Sequence, residues 1–199
     1  MAAPPAPHVA LFGGSFNPPH VGHLLAAAYV RAVTDVDAVW LMPAFVHPFG
    51  KELAPFDARV GMCAALAAQL TGVEVSRVEE EVGADGRTIR TVEHLLARWP
   101  GTRFSLVVGA DIVAEWHRWM EFERLAELAR PIVLGRTGFS PPEHVTGPLA
   151  KALFLWDVPM PRVSSTDVRD RLAAGSAVDH LVPRAVLKEI RERGLYRRP

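Results

Sequence analysis

Short apolar runs alternate with helix-periodic stretches along almost the whole chain. Residues 8–12, His-Val-Ala-Leu-Phe, read as a buried strand closed by Gly13 and Gly14, and apolar residues at 21, 24, 25, 28 and 32 then keep helical spacing. A second strand over 38–42 ends at Pro43, and the loop 44–56 carries Pro48, Gly50 and Pro55. Asp57 is the expected N-cap of the next helix. Residues 73–78 alternate as a strand, 88–99 read as a helix stopped by Pro100 and Gly101, and 104–108 form a strand closed by Gly109. The pattern then gives a helical stretch over 112–129 broken near Trp119, a strand over 131–134, a Pro/Gly-rich loop over 139–147 and a strand over 152–158. Two helices follow, one opening after Ser164 and Ser165, the other starting at Pro183 and stopping at Gly194. Such alternation predicts an α/β fold, a mainly parallel sheet with helices on both faces.

Nothing in the chain reads as an internal repeat or a domain linker, so residues 1–199 are expected to be one domain. Residues 1–7 are read as a flexible tail and 160–199 as a C-terminal helical part. Composition agrees: 199 residues suffice for a core that needs no disulfide or structural metal, and 49% hydrophobic with 22% charged residues excludes a disordered class. Lys and Arg number 22 and Asp and Glu 22, so the chain is formally neutral. Neutrality argues against a nucleic-acid or anionic-membrane surface and requires any anionic ligand to be held by local groups. Cys63, the one cysteine, sits in an alanine-rich helical pattern and is expected to be a buried thiol. The N-terminus has neither a basic n-region nor an apolar h-region, and no apolar run is long enough to span a bilayer, so the expected location is the cytoplasm.

In a doubly wound sheet, ligands bind beyond the carboxyl ends of the strands. After the first strand stands Gly13-Gly14-Ser15-Phe16-Asn17-Pro18-Pro19-His20-Val21-Gly22-His23. The glycines allow close backbone approach, and the helix start offers free N–H groups and a positive dipole end suited to phosphate. His20 and His23 lie one turn apart on nearly the same face, with Gly22 leaving room between them. The string is not a dinucleotide fingerprint, since Ser15 and Pro18 occupy the later glycine positions. Nor is there a Walker A loop, since Gly50-Lys51 is followed by Glu52. A zinc pair lacks both a cysteine partner and a metalloprotease glutamate. Ser164, Ser165 and Thr166 open another helix after the last strand, with Arg169 one turn on as a forked cation for a second phosphate group. Gly109 and Asp111 end a strand where a carboxylate suits a ribose hydroxyl, or an N-cap. Trp116 and Trp119 follow, rings that usually pack in a core but that near a pocket can stack on a pyridine.

The first string resembles the (H/T)xGH signature of the nucleotidyltransferase superfamily, and in its Gly-Gly-Ser-Phe-Asn-Pro-Pro-His form it is similar to the bacterial nicotinate-mononucleotide adenylyltransferase family. Val163-Ser-Ser-Thr-Asp-Val-Arg169 resembles the same family's Ile-Ser-Ser-Thr-x-x-Arg motif, and the likeness runs from Leu11 to the terminal Gly-Leu-Tyr-Arg. The resemblance implies a Rossmann-like, doubly wound fold and adenylyl transfer from ATP to nicotinate mononucleotide in NAD biosynthesis, releasing pyrophosphate. It places ATP on Gly13, Gly14, Ser15, Phe16, Gly109 and Asp111, with its β- and γ-phosphates on Ser164, Ser165, Thr166 and Arg169. Catalysis is assigned to His20, at the bound phosphates, and His23, at the α-phosphate.

By the same resemblance the mononucleotide falls to Asn17 (where the family usually has Asp), Lys51, Thr88, Trp119 as the stacking ring and Arg136, with Trp116 left to the core. Arg87 replaces an aromatic before Thr88, and residues 46–51 match the family's Pro-Pro-His-Lys only loosely. Mg²⁺ is implied as the companion of ATP, with no protein side chain as its ligand; a homo-oligomer is compatible with the resemblance. Other acceptors, nicotinamide mononucleotide or phosphopantetheine, and a nucleotide sensor without turnover, stay open. His8, His94, His117, His144 and His180 are read as surface or packing residues.

Overall fold

The computed structural model describes residues 6–46, 50, 52–83, 87–136 and 146–197. Among them six strands, β1 (His8–Gly14), β2 (Ala38–Pro43), β3 (Val73–Val75), β4 (Arg103–Gly109), β5 (Arg130–Arg136) and β6 (Leu153–Met160), form one sheet in the order β3-β2-β1-β4-β5-β6. Every neighbouring pair is parallel, so the mainly parallel sheet expected from the sequence is wholly so. The connections are α1 (Val21–Val33), α2 (Phe56–Ala67), α3 (Val78–Val82), α4 (Thr88–Arg98), α5 (Ile112–Glu115) and α6 (Phe122–Leu128), with α7 (Ser165–Ala173) and α8 (Arg184–Glu192) closing the chain.

Strand periodicity divides the core into two layers. Ala10, Val39, Leu41, Val107 and Ile132 face one layer with α1, α2, α7 and α8; Val9, Leu11, Trp40, Met42, Leu106 and Val133 face the other with α3, α4 and α6. The strand order reverses between β1 and β4: α1, which follows β1, and α6, which follows β4, pack on opposite faces, and a crevice opens above the carboxyl ends of the two strands.

Three local expectations change. The strand expected over 73–78 stops at Val75, and Val78 opens α3: three glutamates, Glu79 to Glu81, fill its first turn, where the helix dipole favours them and a strand would not. Helix α2 starts at Phe56 behind Pro55; Asp57 does not cap it, because its carboxylate engages Arg77 at 2.8 Å. The tail expected over 1–7 is tied down before it ends, since Ala6 packs on the second core layer and the Pro7 carbonyl accepts the Arg103 N–H at 2.9 Å. The break near Trp119 is present as a 3-10 turn over Trp116–Arg118. Cys63 is fully buried, as expected, and burial raises its pKa.

His8 is a packing histidine on β1. It is 5% exposed, with Nε2 at 2.9 Å from Ser105 Oγ and Nδ1 facing Arg103, the Asp35 carbonyl and the Asp35 carboxylate. Burial, and then the Arg103 charge, hold its pKa below the ordinary 6.5 against the opposing pull of Asp35 and Asp37. The unfolded chain therefore takes up this proton at a pH where the folded chain still refuses it. The contribution to stability is complete above the ordinary pKa and is lost as pH falls below it. Urea midpoints measured from about pH 7.5 down to about pH 5.5 are expected to fall more in the native chain than in His8→Gln. Equal slopes would contradict this role for His8.

Candidate active site

The carboxyl ends of β1 and β4 open into a cleft of about 570 Å³, within the range of small-molecule sites. From the first loop, Gly13, Ser15, Asn17, His20 and His23 line it; from the end of β4, Gly109 and Asp111; and from the start of α7, Ser164, Ser165, Thr166 and Arg169. Two motifs about 150 residues apart thus share one wall, as hydrogen bonds across separations of 147 and 152 residues show directly.

The first of these runs from the Ser165 hydroxyl to the Pro18 carbonyl at 2.9 Å, the second from Arg169 Nη1 to the Asn17 carbonyl at 2.8 Å. Ser164 caps α7, its Oγ accepting the Asp167 N–H at 3.1 Å, and Arg169 Nη2 reaches Thr166 Oγ1 at 3.3 Å. The first turn of α7 is thereby fixed against the loop that leads into α1.

The two histidines are in ring contact, tilted by 32° to one another. Their ring centroids are 3.8 Å apart, and the Phe16 ring backs His23 at 4.8 Å. His23 Nδ1 accepts the His20 backbone N–H at 3.1 Å, which leaves Nε2 as the protonated nitrogen of a neutral ring and hence a donor. His20, the N-cap of α1, is 7% exposed. The room expected at Gly22 is taken by the protein itself: a Cβ there would stand 3.0 Å from Val163 Cγ1 and 3.1 Å from the His20 ring. Gly22 therefore admits the His20 ring and the strand-to-α7 segment to the same small space. At Gly109 a Cβ would run into the Asp111 carboxylate, so that glycine lets Asp111 fold back over the end of β4. Asp111 stands at the N-cap position of α5, but its side chain makes no cap hydrogen bond.

Not every expected residue reaches the cleft wall. Phe16 is 1% exposed and serves as packing behind His23, and a Cβ on Gly14 would press that ring at 3.3 Å. Thr88 opens α4, half-buried, and is not among the described residues lining the cleft. Trp119 does line it, with Phe122 at 6.0 Å; both Trp116 and Trp119 pack on the second core layer, and Trp116 is not among the described residues lining the cleft. Arg136 ends β5, but its side chain and all of Lys51, along with His144, lie outside the described residues.

Asn17 and Arg59 carry more structure than their sequence reading suggested. Asn17 is 3% exposed, and its Oδ1 accepts both the Ala54 N–H at 3.2 Å and the Tyr196 hydroxyl at 2.7 Å. Arg59, not singled out beforehand, is 1% exposed; its Nε donates to the Ala54 carbonyl at 2.9 Å and its Nη1 to the Ser15 carbonyl at 3.0 Å. Burial pushes the Arg59 pKa down and the Tyr196 pKa up from their ordinary values, so the phenol stays a neutral donor. Glu52 and Leu53, just before Ala54, form part of the cleft wall. The position of Arg59 was detectable: it shares a helix face with Met62, Cys63 and Leu66, where an unpaired charge is disfavoured.

A sequence profile described as cytidylyltransferase-like matches residues 11–171. A protein of Myxococcus xanthus named "Probable nicotinate-nucleotide adenylyltransferase" is 49% identical, covering 96% of each chain, and one of the same name from Anaeromyxobacter sp. is 50% identical over 95% of this chain and 96% of its own. The chain belongs to the nicotinate-nucleotide adenylyltransferase family. It is a nucleotidyltransferase enzyme with the Rossmann-like fold. In overall shape it is similar to Plasmodium falciparum nicotinic acid mononucleotide adenylyltransferase complexed with NaAD, with a TM-score of 0.77, 17% identity and coverage of 95% of this chain and 97% of that one. Among the described residues no helix is long and apolar enough to cross a membrane, and no three His, Cys, Asp or Glu side chains group as metal ligands.

The Gly22 geometry yields a test. Gly22→Ala is expected to cost about 1–3 kcal/mol by overpacking and to lower Tm by roughly 3–10 °C in calorimetry. An unchanged Tm would mean that Val163 and His20 can yield without loss.

Proposed function

We propose that the cleft joins ATP to nicotinate mononucleotide, giving nicotinate adenine dinucleotide and pyrophosphate, in the cytoplasm and with no part for nucleic acid. The observation that carries this reading is the adjoining pair of helix starts, α1 behind His20 and α7 behind Ser164, whose residues line one cleft with His23 and Arg169 and suit one chain of phosphates. ATP lies along the first loop with its ribose at Asp111, and its β- and γ-phosphates on Ser164, Ser165, Thr166 and Arg169. The names of the relatives identify the acceptor, and Trp119 supplies a ring on which a pyridine can stack.

An oxygen of the mononucleotide 5′-phosphate attacks the α-phosphorus in line. The new P–O bond forms as the bond from the α-phosphorus to the β-bridging oxygen breaks, and pyrophosphate leaves with that electron pair. The nucleophile has a second pKa near ~6 and is largely anionic at neutral pH, so no side chain needs to remove a proton. What the chain contributes is position and charge. His23 donates from Nε2 to the α-phosphate as negative charge grows there, its ring fixed by the His20 N–H and Phe16. His20 sits against the bound phosphates, and Arg169 holds the departing pyrophosphate.

Of the described residues lining the cleft, Glu52 and Asp111 are the carboxylates, a donor set that suits Mg²⁺ arriving on ATP and held mainly by phosphate oxygens and water. The ion, when bound, neutralises phosphate charge. Lys51, Thr88 and Arg136 remain proposed contacts of the mononucleotide.

Pyrophosphate release from ATP is to be compared with nicotinate mononucleotide, its amide and phosphopantetheine as acceptors. Release with the acid well above the other two is expected, and comparable rates for acid and amide would reject the acid-specific reading. In the same assay His23→Ala is expected to lower kcat by about 10²–10³, the range for loss of one oxyanion-type donor. Near-native turnover would remove His23 from the mechanism.

A further inference from the structure

The C-terminal turn reaches deep into the cleft wall. After α8 the chain passes through Gly194 and Tyr196, both with positive φ (62° and 60°), and delivers the Tyr196 hydroxyl to Asn17 Oδ1, 179 residues away, at 2.7 Å. A tyrosine in the left-handed region costs free energy and persists where its surroundings fix it. The neighbour of its partner is held in the same way: Phe16 has φ 44°, and these are two of the three non-glycine residues with positive φ among the described residues.

Asn17 is the junction of this contact. Its Oδ1 takes the Ala54 N–H beside the Tyr196 hydroxyl, and since a backbone N–H can only donate, the amide orientation is settled. Its carbonyl takes Arg169 Nη1. Ala54 is gripped a second time through its own carbonyl by Arg59, which also holds the Ser15 carbonyl. Removing the phenol oxygen would leave the Asn17 Oδ1 with the Ala54 N–H alone, and so less firmly held.

We propose that Tyr196 is a positioning residue: with Arg59 it forms a latch on Asn17 and Ala54 that sets the Glu52–Leu53 wall of the cleft against the first loop and so fixes the acceptor's place. Tyr196 is not among the described residues lining the cleft, so it acts from behind the wall. The latch follows from the geometry, while its effect on the acceptor rests on the function proposed above.

Tyr196→Phe tests it, because the variant keeps the ring and loses only the hydroxyl. Two readouts are needed. Hydrogen exchange of the Ala54 amide in the unliganded chain is expected to quicken by about three- to tenfold, the factor matching the modest net worth of one hydrogen bond. Steady-state kinetics are expected to show KM for the mononucleotide raised by about the same factor, with KM for ATP nearly unchanged. Tyr196→Leu, which loses ring and hydroxyl, is expected to exceed Tyr196→Phe in both readouts. Unchanged Ala54 exchange in Tyr196→Phe would overturn the latch whatever the substrate is. Faster exchange with both KM values unchanged, or with only kcat reduced, would overturn its role in placing the acceptor. If the native chain does not turn over nicotinate mononucleotide, the functional reading fails while the exchange result still decides the latch.

Discussion

The site depends on a tie between the two ends of the chain. Apart from the buried Phe16, the loop of glycine, serine, asparagine and proline has little apolar surface of its own with which to hold a shape, yet phosphate binding demands one. Here Ser165 and Arg169 bind the carbonyls of Pro18 and Asn17, and the Val21 N–H bonds to the Leu181 carbonyl. Each of these contacts closes a long chain loop, and loop closure costs entropy that isolated surface hydrogen bonds do not recover. They persist because α7 and α8 are already docked through Val168, Val186, Leu187 and Ile190 on the same core layer as α1 and α2. Apolar burial brings the two helix starts together, and polar bonds then set their register.

That arrangement also resolves how a formally neutral chain can take highly anionic ligands. Positive potential does not require a basic surface when two helix N-termini, two histidines and Arg169 converge, with the Arg59 guanidinium buried beneath the first loop. The few carboxylates at the cleft suit a ribose and a metal-bearing triphosphate better than a polyanion. The packing adds constraints of its own. Gly22 is required by the His20 ring and Val163, and Gly109 by the Asp111 carboxylate, so both glycines act on side chains that line the cleft.

Much of this was legible in residue order. The apolar run over 8–12 reads as a buried strand, and the Gly-Gly and Ser-Ser-Thr strings stand where strands hand over to helices. Local signals failed where a tertiary partner outcompeted them: Asp57 left its capping role for Arg77, and Val78 fitted strand alternation until the glutamates after it favoured a helical turn. The motif in which Phe16 stands places it with ATP, but the residue has a positive φ and its ring packs inward against His23. Arg59 left a readable trace as a charge on an apolar helix face. Tyr196 left none, since nothing in a terminal Gly-Leu-Tyr-Arg announces a contact with residue 17. Such a contact exists only once the sheet has brought the two ends of the chain together.

The central claim is that the adjoining helix starts hold ATP so that its α-phosphorus, and no other, meets the acceptor. Turnover with nicotinate mononucleotide and ATP labelled separately at the α- and γ-phosphorus tests this most directly. The α-label is predicted to appear in the dinucleotide and the γ-label in pyrophosphate. Recovery of the γ-label on the acceptor, or of the α-label as free AMP, would contradict it.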